Sequence, residues 1–230
     1  MTVAAFTLAD PASLDDLQVF LARAQRVEDG SVRLIGGSGV LAVYAAVLYP
    51  VGLLDETPTV LGLRTLALTS TEPFDVVVPI RSLLQRVERA QQLAVAALDE
   101  GREAPTSVGL PMQVQTATWA AISPPRGGWR AVPGPDAATL TAVAEQGIAE
   151  VAEVVPDAVG ESIVRRVRAE VWGREIAGAE HIPAGAGFAA VSLGFLGDDE
   201  VRTYETGPWT RLTTRRGHVL VKRRAWTLAR

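Results

Sequence analysis

His181 and His218 are the chain's two histidines, and its 230 residues include no cysteine. That inventory excludes thiolate nucleophiles, disulfide frameworks, cysteine zinc sites and iron–sulfur clusters, and it leaves no multi-histidine metal centre. A histidine serves as general base when a carboxylate orients it and a serine or threonine lies within reach. No Gly-x-Ser-x-Gly elbow is present and the hydroxyl residues are scattered, so both histidines read as hydrogen-bonded structural groups. Gly36-Gly37-Ser38-Gly39 invites comparison with a phosphate loop. It lacks both the Gly-x-Gly-x-x-Gly spacing and the Gly-Lys-Ser/Thr ending, and a strand rather than a helix follows it, so it reads as a hairpin turn. Gly197-Asp198-Asp199-Glu200 gathers three carboxylates, but Arg202 follows where a calcium loop needs further acids, so it reads as a solvated loop. No cofactor is expected.

The uneven feature is the C-terminal stretch. Residues 201–230 carry Arg202, Arg211, Arg215, Arg216, Lys222, Arg223, Arg224 and Arg230 against Glu205 alone, in a chain whose net charge is −4. Tyr204, Trp209 and Trp226 interleave with these cations, a combination able to follow a phosphate backbone and stack a base. The same hairpin can instead dock on the acidic remainder of the chain, or blunt a sheet edge with charge. A protein with a pI near 5.3 has an unfavourable overall field for nucleic acid. Trp209, Arg211, Arg215, Arg216, His218, Lys222 and Arg223 are therefore the candidate binding residues. Trp119, Arg126 and Trp129 form a second set, because Trp119-x-x-Ile122-Ser123-x-x-Arg126-Gly127 echoes Trp209-x-x-Leu212-Thr213-x-x-Arg216-Gly217. Both Arg-Gly segments are expected to close antiparallel hairpins.

The elements that must hold these residues are read from periodicity. Ser13 opens a helix to Val27 with Leu14, Leu17, Leu21 and Ala24 inward. Strands follow at 31–35, 40–48, 59–69 and 76–78. Pro79 starts a helix to about Glu100, striped by Ile80, Leu83, Leu84, Val87, Ala94 and Leu98. The polar segment 101–107 is the linker candidate. Residues 112–122 read as a long strand and 129–132 as its return. Asp136 caps a helix to Val155 with Leu140, Val143, Gly147, Ile148 and Val151 inward; Pro156-Asp157 breaks it. The next helix is striped by Val159, Ile163, Val167 and Val171, with Glu161 and Arg165 as an i,i+4 pair on its basic face. His181 lies in a loop, 185–196 is a helix, and the tail, 201–228, is a three-stranded meander.

Strands grouped beside helices, without βαβ alternation, imply an α+β fold with antiparallel sheets and helices on one face. Two similar halves are expected, 1–104 and 105–230, as separate domains or one continuous one. Leu34 to Leu54 is uncharged, but the Gly-rich turn and Tyr49-Pro50 leave only Val40–Leu48 uninterrupted, a strand rather than a membrane helix. The N-terminus lacks a secretory pattern, so a cytoplasmic location is expected.

Ile122-Ser-Pro-Pro-Arg-Gly-Gly-Trp129, Val167-Arg-Ala-Glu-Val-Trp-Gly173, Trp209-Thr-Arg-Leu-Thr-Thr214 and Arg216-Gly-His-Val-Leu-Val221 resemble segments of a conserved actinobacterial family of uncharacterised proteins. The resemblance covers most of the second half and carries over no catalytic residue. It implies a self-standing cytoplasmic protein from a GC-rich genome, in keeping with 21 Arg against one Lys. The expectation is a non-catalytic binding or assembly protein that acts through its Trp- and Arg-bearing hairpins and self-associates as a homodimer, with a protein partner possible. The alternatives are an enzyme with a dispersed Arg/carboxylate site, or a nucleic-acid binder using the basic hairpin.

Overall fold

The computed structural model of the protein describes residues 5–52, 54–114, 117–154 and 160–223. Its strands are β1 (Ala5–Thr7), β2 (Ser31–Gly37), β3 (Val40–Leu48), β4 (Thr59–Ala67), β5 (Phe74–Pro79), β6 (Ser107–Gly109), β7 (Arg130–Val132), β8 (Glu175–Ile176), β9 (Ala179–Pro183), β10 (Arg202–Thr206), β11 (Trp209–Thr213) and β12 (His218–Lys222). Its helices are α1 (Pro11–Val27), α2 (Ile80–Asp99), α3 (Ala137–Val154), α4 (Glu161–Gly173) and α5 (Ala184–Ser192). The architecture is α+β, and the pairs β1–β6, β2–β3, β2–β5, β7–β10, β8–β9, β10–β11 and β11–β12 are antiparallel. Spatially the chain divides into one unit of Met1–Ala45 with Leu63–Ala120, and another of Ala46–Gly62 with Ala121–Arg230.

In the first unit β2 pairs on both sides, so that Leu34 stands opposite Val43 on β3 and Val76 on β5. Alternation puts Val32, Leu34, Val43, Val76 and Val78 on the buried face, as period-2 side chains require. The turn between β2 and β3 places Ser38 and Gly39 at φ +52° and +77°, a left-handed backbone for which glycine is suited. Helix α1 buries Leu14, Leu17, Leu21 and Ala24 as its spacing predicts, but its cap is Asp10, not Ser13. The Asp10 carboxylate accepts from the Ser13 backbone N–H at 2.8 Å and from the Ser13 hydroxyl at 3.0 Å. Pro11 then occupies the first turn, where its missing N–H is harmless. Helix α2 buries five of the six predicted stripe residues; Leu98 is exposed, because Ala97 takes the inward position in the last turn.

The strand expected over 112–122 is absent from its described residues. Pro111 has no N–H to donate, Met112 is 88% exposed, and Thr118–Ala121 form a single 3₁₀ turn that buries the Trp119 indole. Gln115 and Thr116 lie outside the described residues. Consequently Arg126-Gly127-Gly128 closes no hairpin: β7 pairs with β10, not with a preceding strand. Trp119 sits on a turn and Trp209 on a strand, so the sequence echo is not a repeated structure.

In the second unit Asp136 caps α3 as expected, accepting from the Thr139 N–H at 2.8 Å. Leu140, Ala144 and Gly147 are buried, whereas Ile148 is 43% exposed. Helix α4 buries Val171 and Trp172 and leaves Ile163 half-exposed. The expected positions Val155, Pro156, Asp157 and Val159 lie outside the described residues. The segment holding His181 is a strand, not a loop: β8 and β9 form a hairpin whose turn includes Gly178 at φ +77°. The helix expected over 185–196 is present as α5 but ends at Ser192, and the meander is present as β10–β11–β12, with 224–228 outside the described residues. No described helix is long and apolar enough to cross a membrane.

Candidate functional site

The meander is set by two turns. Gly207, at φ +51°, reverses β10 into β11. Arg216-Gly217 reverses β11 into β12, closed by the Thr214 N–H donating to the Gly217 carbonyl at 3.0 Å. The Thr214 hydroxyl donates to the Phe195 carbonyl at 2.8 Å, and Gly217 lies against the Phe195 ring, where a Cβ would come within 2.6 Å of Cδ1. This Arg-Gly turn closes an antiparallel hairpin as predicted.

Register then decides which side chains meet. Tyr204 stands opposite Arg211, and Arg211 opposite Leu220, while Trp209 faces Lys222. Alternation places Arg202, Tyr204, Arg211 and Lys222 on one face and Thr203, Glu205, Thr210, Leu212, Val219 and Val221 on the other. Leu212, Val219 and Val221 are buried and form the core side, and on the face of Arg211 Trp209 and Leu220 are buried as well.

Arg211 is the centre of the first face. Its guanidinium carbon lies 4.4 Å from the Trp129 ring centroid and 4.9 Å from that of Tyr204. Trp129 is itself fixed by its indole N–H, which donates to the Pro125 carbonyl at 3.1 Å. The Arg211 Nε is buried and has no hydrogen-bond partner. Burial holds this guanidinium below the ordinary arginine pKa, with the neighbouring Tyr204 acting in the opposite direction.

The other candidate residues are distributed differently. Trp209 and Trp119 are 4% and 5% exposed, so both indoles belong to the core and neither offers a face for stacking. Arg216 packs over Gly197 and donates to the Leu196 carbonyl at 3.2 Å. Arg223 donates to the Gly207 carbonyl at 3.0 Å and lies 3.5 Å from Glu205. His218 Nδ1 and the Thr213 hydroxyl share a hydrogen bond of 3.1 Å. Arg215 and Arg126 are exposed, and Lys222 is half-buried. The Asp199 carboxylate accepts from the Arg215 backbone N–H at 2.8 Å, which makes the 197–200 acidic loop a brace for the hairpin. Arg224, Trp226 and Arg230 lie outside the described residues.

On the core side, His181 Nε2 and Glu205 are 3.6 Å apart. Among the described residues no group of three or more His, Asp or Glu side chains is arranged to hold a metal. The depressions are open: one lies between α1 and α2, lined by Asp15, Gln18, Glu88 and Gln91, and another is lined by Asp55, Glu56, Glu170 and Arg174. Sequence reasoning named Trp129 and Arg211 but did not join them, since only the β7–β10 pairing brings them together.

The fold is similar to that of the DNA polymerase sliding clamp from Caulobacter crescentus, at 12% identity over 99% of this chain and 67% of that chain, with a TM-score of 0.51. A second Caulobacter crescentus structure, pol III beta, matches at 12% identity over 95% of this chain and 64% of its own, with a TM-score of 0.48. The sliding clamp from Pseudomonas aeruginosa matches at 13% identity over 99% and 66%, with a TM-score of 0.44. This chain thus spans about two-thirds of the length of the clamp chains. No curated protein matches it in sequence. Residues 124–226 match the model described as Domain of unknown function (DUF8185). Residues 1–117, half of the chain, match Domain of unknown function (DUF8010), and to that family the chain belongs.

Proposed function

We propose that this protein is a non-catalytic binding and assembly protein that associates with itself as a homodimer and offers its Trp- and Arg-bearing meander to a protein partner. The observation that carries the reading is the fold likeness to a DNA polymerase sliding clamp over 99% of the chain. A clamp holds rather than converts, and the proposal takes over that class of task. The stacked Trp129, Arg211 and Tyr204 support a binding surface, because aromatic and arginine side chains dominate the energetics of protein interfaces. A cytoplasmic location and an actinobacterial source go with this reading; the second is supported by 21 Arg against one Lys. Organisation as halves 1–104 and 105–230 is supported in kind by two separate family matches, 1–117 and 124–226, although their border falls between 117 and 124 rather than at 104.

Light scattering at micromolar concentration tests the assembly. A mass near twice 24.4 kDa is expected, and a monomer mass at every concentration overturns it. A second reading, nucleic-acid binding, draws on the clamp's own association with a DNA polymerase. Titration of single-stranded and duplex oligonucleotides at low salt decides it, where the electrostatic term is strongest. The acidic net charge of −4 favours a negative result.

A further inference from the structure

We propose that Arg211, clamped between Trp129 and Tyr204, is an oxyanion anchor that receives a carboxylate from an acidic segment of a partner protein. The proposal rests on reading the meander as a binding surface, but not on self-association.

A guanidinium presents five N–H donors in its own plane and attracts aromatic rings to its faces. At Arg211 two rings are already in place, at 4.4 and 4.9 Å, and rings supply no in-plane acceptor. Among the described residues no carboxylate pairs with this side chain, and its buried Nε has no acceptor. The buried Nε is closed to an incoming group, so the carboxylate of the proposal engages the terminal Nη groups, whose paired N–H donors match its two oxygens.

The surrounding sheet face has the complementary charge. Glu205 is the one acid in β7, β10, β11 and β12, and it lies on the opposite face, across from Thr210. Arg202 and Lys222 share the face of Arg211, and the Glu200 carboxylate lies 3.7 Å from Arg202 rather than at Arg211.

The same observations argue against a phosphate backbone as occupant. Following a strand of nucleic acid takes a row of free cations, each neutralising a phosphate. Arg216 and Arg223 are instead engaged by carbonyls of this chain, and Arg202 lies 3.7 Å from Glu200. Arg211, by contrast, is preorganised and flanked by half-buried aromatic surface, the composition of a protein-binding anchor.

The experiment uses the full chain labelled with ¹⁵N, following the arginine Nε–H resonances during titration with an N-acetylated, C-amidated tetraglutamate peptide. Inorganic phosphate and a twelve-residue oligothymidylate serve as competing probes. The expected result is a saturable shift of the Arg211 Nε–H. Affinity for the peptide should fall about tenfold in Arg211→Lys, which keeps the charge but loses the fork, and severalfold in Trp129→Leu. Arg215→Ala, on the adjacent turn, should change affinity by less than about twofold, within the range of an exposed charge. Absence of a saturable shift, or equal affinity in both Arg211→Lys and Trp129→Leu, overturns the proposal. Phosphate binding as tightly as the peptide also overturns it in favour of unspecific anion binding, and tighter binding of the oligonucleotide overturns it in favour of nucleic acid. Should Arg211→Lys fail to fold by circular dichroism, Trp129→Leu carries the decision. A monomeric mass accompanied by the Arg211 shift rejects the homodimer and leaves the anchor standing.

Discussion

Gly147 on α3 lies directly against the indole of Trp172 on α4: a Cβ at this glycine would come within 2.6 Å of Cη2. The indole cannot swing aside, because its other contact is a stack on Phe188 of α5 at 4.3 Å between centroids and 16° between planes. Three helices therefore meet at a point where one of them has no side chain.

Replacing Gly147 by Ala sets two effects against each other. Alanine favours a helix interior by about 1 kcal/mol over glycine. Overpacking a rigid contact costs about 1–3 kcal/mol and requires the indole or the helix to shift. The clash wins, so Gly147→Ala should lower the urea midpoint without a large change in slope. An unchanged or raised midpoint contradicts the packing described.

The cap of α1 gives a sharper comparison. Asp10 accepts both the backbone and the hydroxyl of Ser13, so Asp10→Ala should cost about 1 kcal/mol, in the usual range for a lost cap. Ser13→Ala removes only an exposed side-chain hydrogen bond and should cost less. Thermal melts of the two variants rank them, and the reverse order restores Ser13 as the cap.

Arg33 connects a strand to a turn. It makes a bidentate pair with Asp75, at 2.8 and 2.6 Å, and donates to the Ala120 carbonyl at 2.7 Å, which ends the turn bearing Trp119. The Asp75 carboxylate is half-exposed, which screens the pair. Arg33→Ala should destabilise by about 1–2 kcal/mol, mainly through the lost hydrogen bonds and aliphatic packing. Trp119 fluorescence should shift to the red as its turn loosens. An unaltered spectrum in the folded variant argues against the connection.

Acid stability draws on carboxyls lowered in the fold, Glu150 and Asp136 among them. Glu150 accepts hydrogen bonds from Arg174 at 2.6 and 2.7 Å, which hold its carboxyl below the usual carboxylate range. Asp136 is held low chiefly by the Thr139 backbone N–H. A carboxyl lowered on folding contributes stability above its unfolded pKa and loses it as pH falls through its folded value. The melting temperature should therefore decline as pH drops below the carboxylate range, and Glu150→Gln should flatten part of that decline. Both groups are at the surface, so the effect should be small and weaken with salt. Identical pH profiles for Glu150→Gln and the parent protein rule out this contribution.

What was legible in the sequence was local. The stripe of α1, the Gly36–Gly39 turn, the Asp136 cap and the meander are each set by residues a few positions apart. Residues 112–122 misled because the run containing Val114 and Trp119 has apolar positions, yet its described residues form no strand: the Val114 N–H donates to the Val77 carbonyl of β5 at 2.8 Å, and the buried indole is served by one tight turn. Ile148 and Ile163 misled because their helices bury narrower stripes than their composition offers. Within the candidate site, residue types were legible and neighbours were not. The stacking of Trp129 on Arg211 depends on β7 joining the edge of β10, a long-range pairing with no local signature.

The pairing of β1 with β6 has a consequence for biosynthesis. Phe6 stands opposite Val108, so a residue of β1 is matched by one made about a hundred residues later. At ordinary elongation rates that delay is about 5–20 s, during which the Phe6 side chain, 3% exposed in the finished fold, has no partner strand. β1 is in this sense a closing latch, whose pairing can be completed only once residue 109 has emerged.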